Sequence, residues 1–321
     1  MFDGMSGRAW RNEPIMPIYA LVLTTPPNRP SLSDFAVERA YSVIPEALRR
    51  GQRWLAPGEA WEAEFGTNEV SAGAEMRAEA QFALKGLTLD INVVTAEPQL
   101  RRNRLLVADM ESTIIQQECL DELADFVGMR ERISGITARA MRGELDFESA
   151  LKERVGLLEG LDVGVLDEVY EKRVTLMPGA GTLIATLKAN GARCTLVSGG
   201  FDFFAERICK RLGFDDFQAN HLVVENGKLT GRVAAPILGR EAKLAALERY
   251  KKEMGLQRAL TMATGDGAND LDMIKAAGLG VAFRAKPIVA AEADAAITHG
   301  DLTALLYLQG YTRDEFVKGA E

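Results

Sequence analysis

Two carboxylates two positions apart, Asp109 and Glu111, stand just after the short apolar run Leu105 to Val107. In an extended or turning segment both can face one cleft, where one can attack as a nucleophile and the other can carry protons. Such a pair alone suits glycoside hydrolysis equally well. Two further polar clusters follow apolar runs: Ser198-Gly199-Gly200 after Cys194 to Val197, and Gly265-Asp266-Gly267-Ala268-Asn269-Asp270 after Ala259 to Ala263. Asp266 and Asp270 add carboxylates that, with Asp109, suit an oxygen-liganded hard cation such as Mg²⁺, which a lone carboxylate pair does not need. The glycines after Ser198 would expose N–H groups beside a hydroxyl at a helix N-terminus, a phosphate-binding arrangement. Lys243, in GREAKLAALERY, could neutralise a transferring phosphoryl group.

Taken singly, each cluster is also what a helix cap or a tight turn requires. Their agreement carries the reading, because ligands bind at the carboxyl ends of strands in open α/β sheets and three polar strand ends in one sheet converge on one cleft.

The elements that must position these groups follow from periodicity. From Arg104 onward short apolar runs, continuing with Leu279 to Phe283 and Ala295 to Thr298, alternate with longer helical segments, the signature of a parallel α/β sheet. Between the first run and the second lies an insertion, Glu118 to Val174, helical by periodicity and positioned to lie over the strand ends as a cap. His221 to Val233 reads as a hairpin turning at Asn226-Gly227. Upstream, a strand over 17–24, a helix over Ser31 to Leu48, short strands near Trp54 and Trp61, a helix around Ala74 to Leu84 and a strand over Leu87 to Val94 make a small α+β layer. The expected organisation is a small α+β domain over 1–97 and a larger α/β domain over 98–321, with the insertion at about 118–175. Arg101, Arg102 and Arg104 read as a solvated linker.

Composition excludes several classes. A net charge of −8 over 321 residues argues against binding to a nucleic-acid backbone. With 47% hydrophobic and 26% charged residues the chain is an ordinary globular one. No apolar stretch near the start is long enough to cross a bilayer, so a cytoplasmic protein without a membrane partner is expected. Three cysteines without CxxC spacing read as buried thiols in a reducing compartment. There is no Walker A, GxGxxG or GxSxG sequence, and two histidines leave a zinc site or a serine triad improbable.

LLVADMESTII around Asp109, LVSGGFD around Ser198, Lys243 and GDGANDLDM resemble, in order and spacing, the four motifs of the haloacid dehalogenase-like phosphatases. The resemblance covers about residues 104 to 310. QQECLDELADFVG and MRGELDFESALKERVGLL make it strongest for the phosphoserine-hydrolysing members. It implies a Rossmann-like core with a helical cap, and hydrolysis of O-phosphoserine through an aspartyl-phosphate on Asp109, the last step of serine biosynthesis. It further implies that Glu111 acts as acid and base, where the family carries Asp. Mg²⁺ would be held by Asp109, the Glu111 backbone carbonyl and Asp266, with Asp270 supporting. Ser198, Gly199 and Lys243 would bind phosphate, with Asn269 orienting groups nearby. In the cap, Glu118 would meet the substrate ammonium and Arg154 its carboxylate, with Met141 and Phe147 closing an apolar lid. The N-terminal layer is similar in pattern to amino-acid-binding ACT domains, and a homodimer is compatible with it. Two alternatives stay open: phosphatase or phosphotransferase chemistry on another small ester, such as phosphate transfer to homoserine, and a non-catalytic amino-acid sensor.

Overall fold

The computed structural model describes residues 16–69, 71–141 and 144–321, apart from the side chains of Ala140 and Met141. The N-terminal part runs β1 (Ile18–Thr24), α1 (Asp34–Val43), β2 (Arg49–Ala56), β3 (Ala60–Gly66), α2 (Ala72–Ala83) and β4 (Asp90–Thr95). Among the described residues its strands form an antiparallel sheet in the order β2-β3-β1-β4, a split βαβ arrangement. Side chains alternate across the pleat. Leu21, Leu23, Trp61 and Phe65 pack with Ala36, Ala40, Met76 and Ala80 of the two helices. On the other face Ala20, Val22, Leu55, Ala60 and Val94 join the core that continues into the rest of the chain. With both faces covered, β1 carries no polar alternation.

Helix α1 is shorter than the expected Ser31 to Leu48. Ser33 caps its start by accepting the Ala36 N–H, and its C-cap is Ile44, next to Pro45. Proline disfavours helix at the residue before it and lacks the N–H to continue. Arg101 is a second departure. It is 8% exposed and forms an ion pair with Glu62, which is 1% exposed, because a carboxylate buried on the sheet face requires a cation. Arg102 instead pairs with Glu315 and covers the ring of Tyr311, and Arg104 is exposed.

The second part begins with β5 (Leu105–Ala108), followed by the insertion helices α3 (Cys119–Phe126), α4 (Arg130–Met141), α5 (Phe147–Gly156) and α6 (Gly164–Arg173). The insertion leaves after Ile115 and returns at Leu176, which bridge each other. Then come α7 (Ala180–Ala189), β6 (Arg193–Phe201), α8 (Asp202–Leu212), β7 (Asp216–Asn220), the hairpin β8 (Leu222–Glu225) and β9 (Lys228–Val233), and α9 (Arg240–Glu253). The chain ends with β10 (Thr261–Gly265), α10 (Leu271–Ala276), β11 (Leu279–Phe283), α11 (Pro287–Glu292), β12 (Ala295–Ile297) and α12 (Ala304–Leu308).

Among the described residues, strands β12-β11-β10-β5-β6-β7 form, in that order, one parallel sheet. From β5 the chain proceeds outward through β6 and β7, then restarts at β10 on the other side. That reversal opens a crevice between the carboxyl ends of β5 and β10. The hairpin turns where expected, with Asn226 and Gly227 both at positive φ. Among the described residues no helix is long and apolar enough to cross a membrane.

Candidate active site

Three strand ends deliver the polar groups to that crevice. Asp109 extends β5 by one residue, its N–H donating to Thr264 O of β10 at 3.0 Å. The chain then turns sharply: the Met110 carbonyl accepts from the N–H groups of Ile114 and Ile115, and Ser112 adopts φ 55°. Asp266 follows β10, and a 3₁₀ turn over Ala268–Asp270 brings Asp270 back beneath it. Gly265 is required there, since a Cβ at that position would overlap the Asp270 carboxyl.

Carboxylate oxygens of Asp109, Asp266 and Asp270 lie within 4.8 Å of one another. Lys243 Nζ, on α9 and 2% exposed, sits 2.6 Å from Asp109 Oδ1 and 2.6 Å from Asp270 Oδ1, while Lys286 acts on Asp266. Asp270 also accepts the Gly267 N–H at 2.9 Å. The Asp266 carboxylate receives no hydrogen bond from any described residue. Burial, then the neighbouring Asp270, pushes Asp109 well above the usual carboxylate range despite Lys243. The same causes in the same order, with Glu118 adding, raise Asp266 to about 6. For Lys243 burial opposes the charge, but Asp109 and Asp270 outweigh it and hold the ammonium above the ordinary lysine value. A site with three carboxylates, one lysine and only oxygen donors fits a hard divalent cation.

Glu111 is not part of this cluster. Its Oε1 accepts the Cys119 N–H at 2.7 Å, at the start of α3, and its carboxyl lies against Gly200, where a Cβ would come within 2.6 Å of Oε2. Burial, then Glu118, lifts Glu111 to about 7, with the Cys119 amide opposing. The extra methylene relative to Asp therefore occupies space that Gly200 leaves free.

Ser198 and Gly199 do not sit at a helix N-terminus as expected. They lie on an irregular extension of β6, whose pairing with β7 shifts register between Val197 and Phe201, and α8 starts only at Asp202. The Ser198 hydroxyl accepts the Gly200 N–H at 2.9 Å. Asn220, 1% exposed at the end of β7, holds this segment: its Nδ2 donates to Gly199 O at 2.8 Å and to Leu238 O at 3.1 Å, while its Oδ1 accepts the Leu238 N–H at 2.7 Å. It thereby ties the serine loop to the segment entering α9.

The insertion supplies the remaining expected residues. Glu118 caps α3 and accepts the Ser112 hydroxyl at 2.7 Å. Arg154, on α5, donates from Nε to Ala150 O at 3.2 Å, and burial lowers its pKa against the nearby charges of Asp121, Glu111 and Glu118. The Phe147 ring lies over Gly199 and Gly239, within 3.4 Å of where a Cβ of either would stand. The Met141 side chain lies outside the described residues. Asn269 is exposed beside Asp270 and makes no side-chain hydrogen bond among the described residues. Cys119, Cys194 and Cys209 are buried free thiols.

Comparison with known proteins agrees with this geometry. The family model described as haloacid dehalogenase-like hydrolase matches residues 106–275. A phosphoserine phosphatase of Streptomyces coelicolor is 48% identical over 229 residues, 71% of this chain and 56% of the relative. The chain thus spans little more than half the length of that protein. A solved unliganded structure of a probable phosphoserine phosphatase from Vibrio cholerae is similar over 92% of this chain and 88% of that one, at 32% identity and TM-score 0.73. A substrate-bound phosphoserine phosphatase complex is similar over 64% of this chain and 98% of that one, at 40% identity and TM-score 0.60.

Proposed function

Because the chain belongs to the haloacid dehalogenase-like hydrolases, we propose that it hydrolyses O-phosphoserine to serine and inorganic phosphate with Asp109 as nucleophile. The observation that carries the reading is the Asp109 carboxylate at the switch point of the sheet, 2.6 Å from the buried Lys243 ammonium and beside Asp266 and Asp270. An Asp109 oxygen attacks phosphorus, the bond from phosphorus to the serine Oγ breaks, and Glu111 gives its proton to the departing oxygen. In the second half-reaction Glu111 takes a proton from water as the water attacks the aspartyl-phosphate, releasing phosphate and restoring the Asp109 carboxylate. Lys243 holds charge on the phosphoryl oxygens, and Ser198 with the Gly199 amide receives them.

Mg²⁺, held by Asp109, Asp266 and the Glu111 backbone carbonyl with Asp270 behind, would supply the positive charge that lets one anion approach another. The four-helix insertion acts as a cap. In it Glu118 would face the substrate ammonium and Arg154 the carboxylate, with Phe147 closing over Gly199. One acidic and one basic group on the cap suit the ammonium and the carboxylate of serine, which supports the reading of serine selectivity. Asn269 orients groups at the mouth. The N-terminal βαββαβ unit is read as a regulatory, ACT-like domain, and the reaction as the closing step of serine biosynthesis.

The test is phosphate release from a panel of phosphorylated small molecules, with and without Mg²⁺ and with homoserine as acceptor. Phosphoserine should lead the panel, its phosphate appearing as free phosphate and only with Mg²⁺. Transfer to homoserine, or preference for another ester, would replace the reading.

A further inference from the structure

Beside the crevice, the loop after β12 is held from outside the phosphatase core. Asp90, the first residue of β4 and 5% exposed, accepts the Thr298 N–H at 2.8 Å, the His299 N–H at 3.1 Å and the Gly300 N–H at 2.8 Å. A carboxylate bonded to three successive backbone amides fixes their loop as a bound anion fixes a nest. Two positions along β4, the Asn92 side chain bonds both backbone groups of Ala296, at 3.0 and 2.9 Å, and so occupies the free edge of β12.

The loop that Asp90 holds touches two parts of the catalytic domain. Gly300 O accepts from the Arg284 guanidinium at 3.2 Å, and the Arg284 N–H donates to Ile297 O at 2.7 Å. Arg284 stands at φ 45°, a left-handed conformation that a non-glycine residue keeps only when its surroundings hold it. Two residues on, the Lys286 N–H donates to the Asp266 carbonyl at 3.1 Å. On the other side, the Leu302 N–H donates to Pro178 O at 3.1 Å, just past the strand-like stem where the insertion rejoins the core. Hydrogen bonds joined by short stretches of backbone, the last from Arg284 to Lys286, therefore run from Asp90 through residues 298–300 to the Asp266 carbonyl.

We infer that Asp90 of the N-terminal domain is a positioning residue for the metal-holding end of the catalytic sheet, acting through the 298–300 loop and Arg284 on Asp266. It touches neither substrate nor metal. The inference rests on the reading of Asp109 and Asp266 as metal holders. It makes the N-terminal unit part of the working site, in addition to whatever ligand that unit receives.

The test measures Mg²⁺ binding to the full-length protein by calorimetry, with thermal unfolding alongside, in the wild type and in Asp90→Asn, Arg284→Gln and Asn92→Ala. Asp90→Asn replaces one acceptor oxygen by an amino group that faces N–H donors, and Arg284→Gln cuts the next link while leaving domain docking in place. Both should weaken Mg²⁺ binding by about threefold to tenfold, below the 10- to 100-fold typical of direct second-layer partners. Asn92→Ala weakens docking at β12 and should lower the unfolding temperature with Mg²⁺ affinity unchanged. Unaltered Mg²⁺ binding in Asp90→Asn, or an equal loss in Asn92→Ala, would overturn the inference. Should Asp90→Asn fail to fold, Arg284→Gln decides, and affinity within twofold of wild type there would overturn it as well. If the wild type itself binds no Mg²⁺, the metal reading fails rather than this one.

Discussion

Buried acids in the two parts of the molecule are treated in opposite ways. In the N-terminal sheet and its interface each has its own hydrogen-bond or ion-pair partners, although burial still raises Glu59 against Tyr307 and Arg313. Glu62 pairs with Arg101 and with Arg53, Glu59 meets Tyr307 and Arg313, and Asp90 accepts backbone amides. At the carboxyl ends of β5 and β10, three carboxylates share one lysine, and Asp109 and Asp266 are pushed above the ordinary range. Removing charges from water costs several kcal/mol per ion unless partners replace the solvent. A fold that meets this cost in one region and leaves it unmet in another marks the second as a place for a cation and an anionic substrate. On the proposed reading the N-terminal acids hold structure, and those at the switch point serve chemistry.

The contrast breaks first at the nucleophile. Asp109→Asn keeps the shape of the side chain but not its nucleophilicity, and should cut turnover by at least about 10⁴-fold with the fold retained. Steady-state phosphate release and circular dichroism check both halves, and loss of the fold would place Asp109 with the structural acids. Glu111→Gln should lower turnover by roughly 10² to 10⁴-fold, the usual worth of acid and base catalysis, with Mg²⁺ binding nearly unchanged because the side chain is turned to Cys119. Near-normal turnover would show that another group moves the protons. Arg154→Ala should raise KM for phosphoserine by about 10- to 150-fold, the equivalent of a charge-assisted contact of roughly 1.5–3 kcal/mol, and spare an aryl phosphate that lacks the carboxylate. Equal losses on both substrates would mean that Arg154 only shapes the insertion.

Stability should separate the regions in the reverse sense. Glu62→Gln leaves the buried Arg101 guanidinium with only the partly exposed Glu64 at 3.5 Å as counter-charge, and should cost up to about 3–5 kcal/mol in denaturant unfolding with kcat within twofold of wild type. A comparable loss in kcat would show that this ion pair serves the site too.

Asp266, at about 6, and Glu111, at about 7, hold their protons more tightly in the folded state than in the unfolded one. Their stabilising contribution is therefore complete below the ordinary carboxylate pKa of about 4 and is lost as pH rises through about 6 to 7. Mg²⁺ bound at the cluster would supply the missing charge, so its gain in unfolding temperature should be larger at about pH 8 than at about pH 5. An equal gain at both would mean that the cluster is not short of positive charge.

How much of this was legible in the sequence depended on whether a residue's partner was near or far. Asp109, Ser198 and Asp266 were visible because each follows a run of apolar residues that is buried on both faces of a parallel sheet. β7 was not, since DFQAN carries one aromatic among polar residues and lies at the sheet edge, so Asn220 was missed with it. The signal that found the other polar strand ends would have found Asn220 had the strand been recognisable. Arg101 was misread for a different reason: its counter-charge stands 39 positions upstream on another strand, beyond the reach of any local pattern. Glu111 could be identified as a departure from its family, but the space that admits it comes from Gly200, which only the packing of β6 brings beside it.

The central claim is that Asp109 becomes covalently phosphorylated, and it can be tested on the intermediate itself. Enzyme turning over phosphoserine with Mg²⁺ is quenched in acid, reduced with borohydride and mapped by peptide mass spectrometry. An aspartyl-phosphate at the switch point predicts homoserine at position 109 and nowhere else, formed only when substrate and metal are both present. Reduction at another residue, or active enzyme that yields no reducible intermediate under single-turnover conditions, would contradict the account.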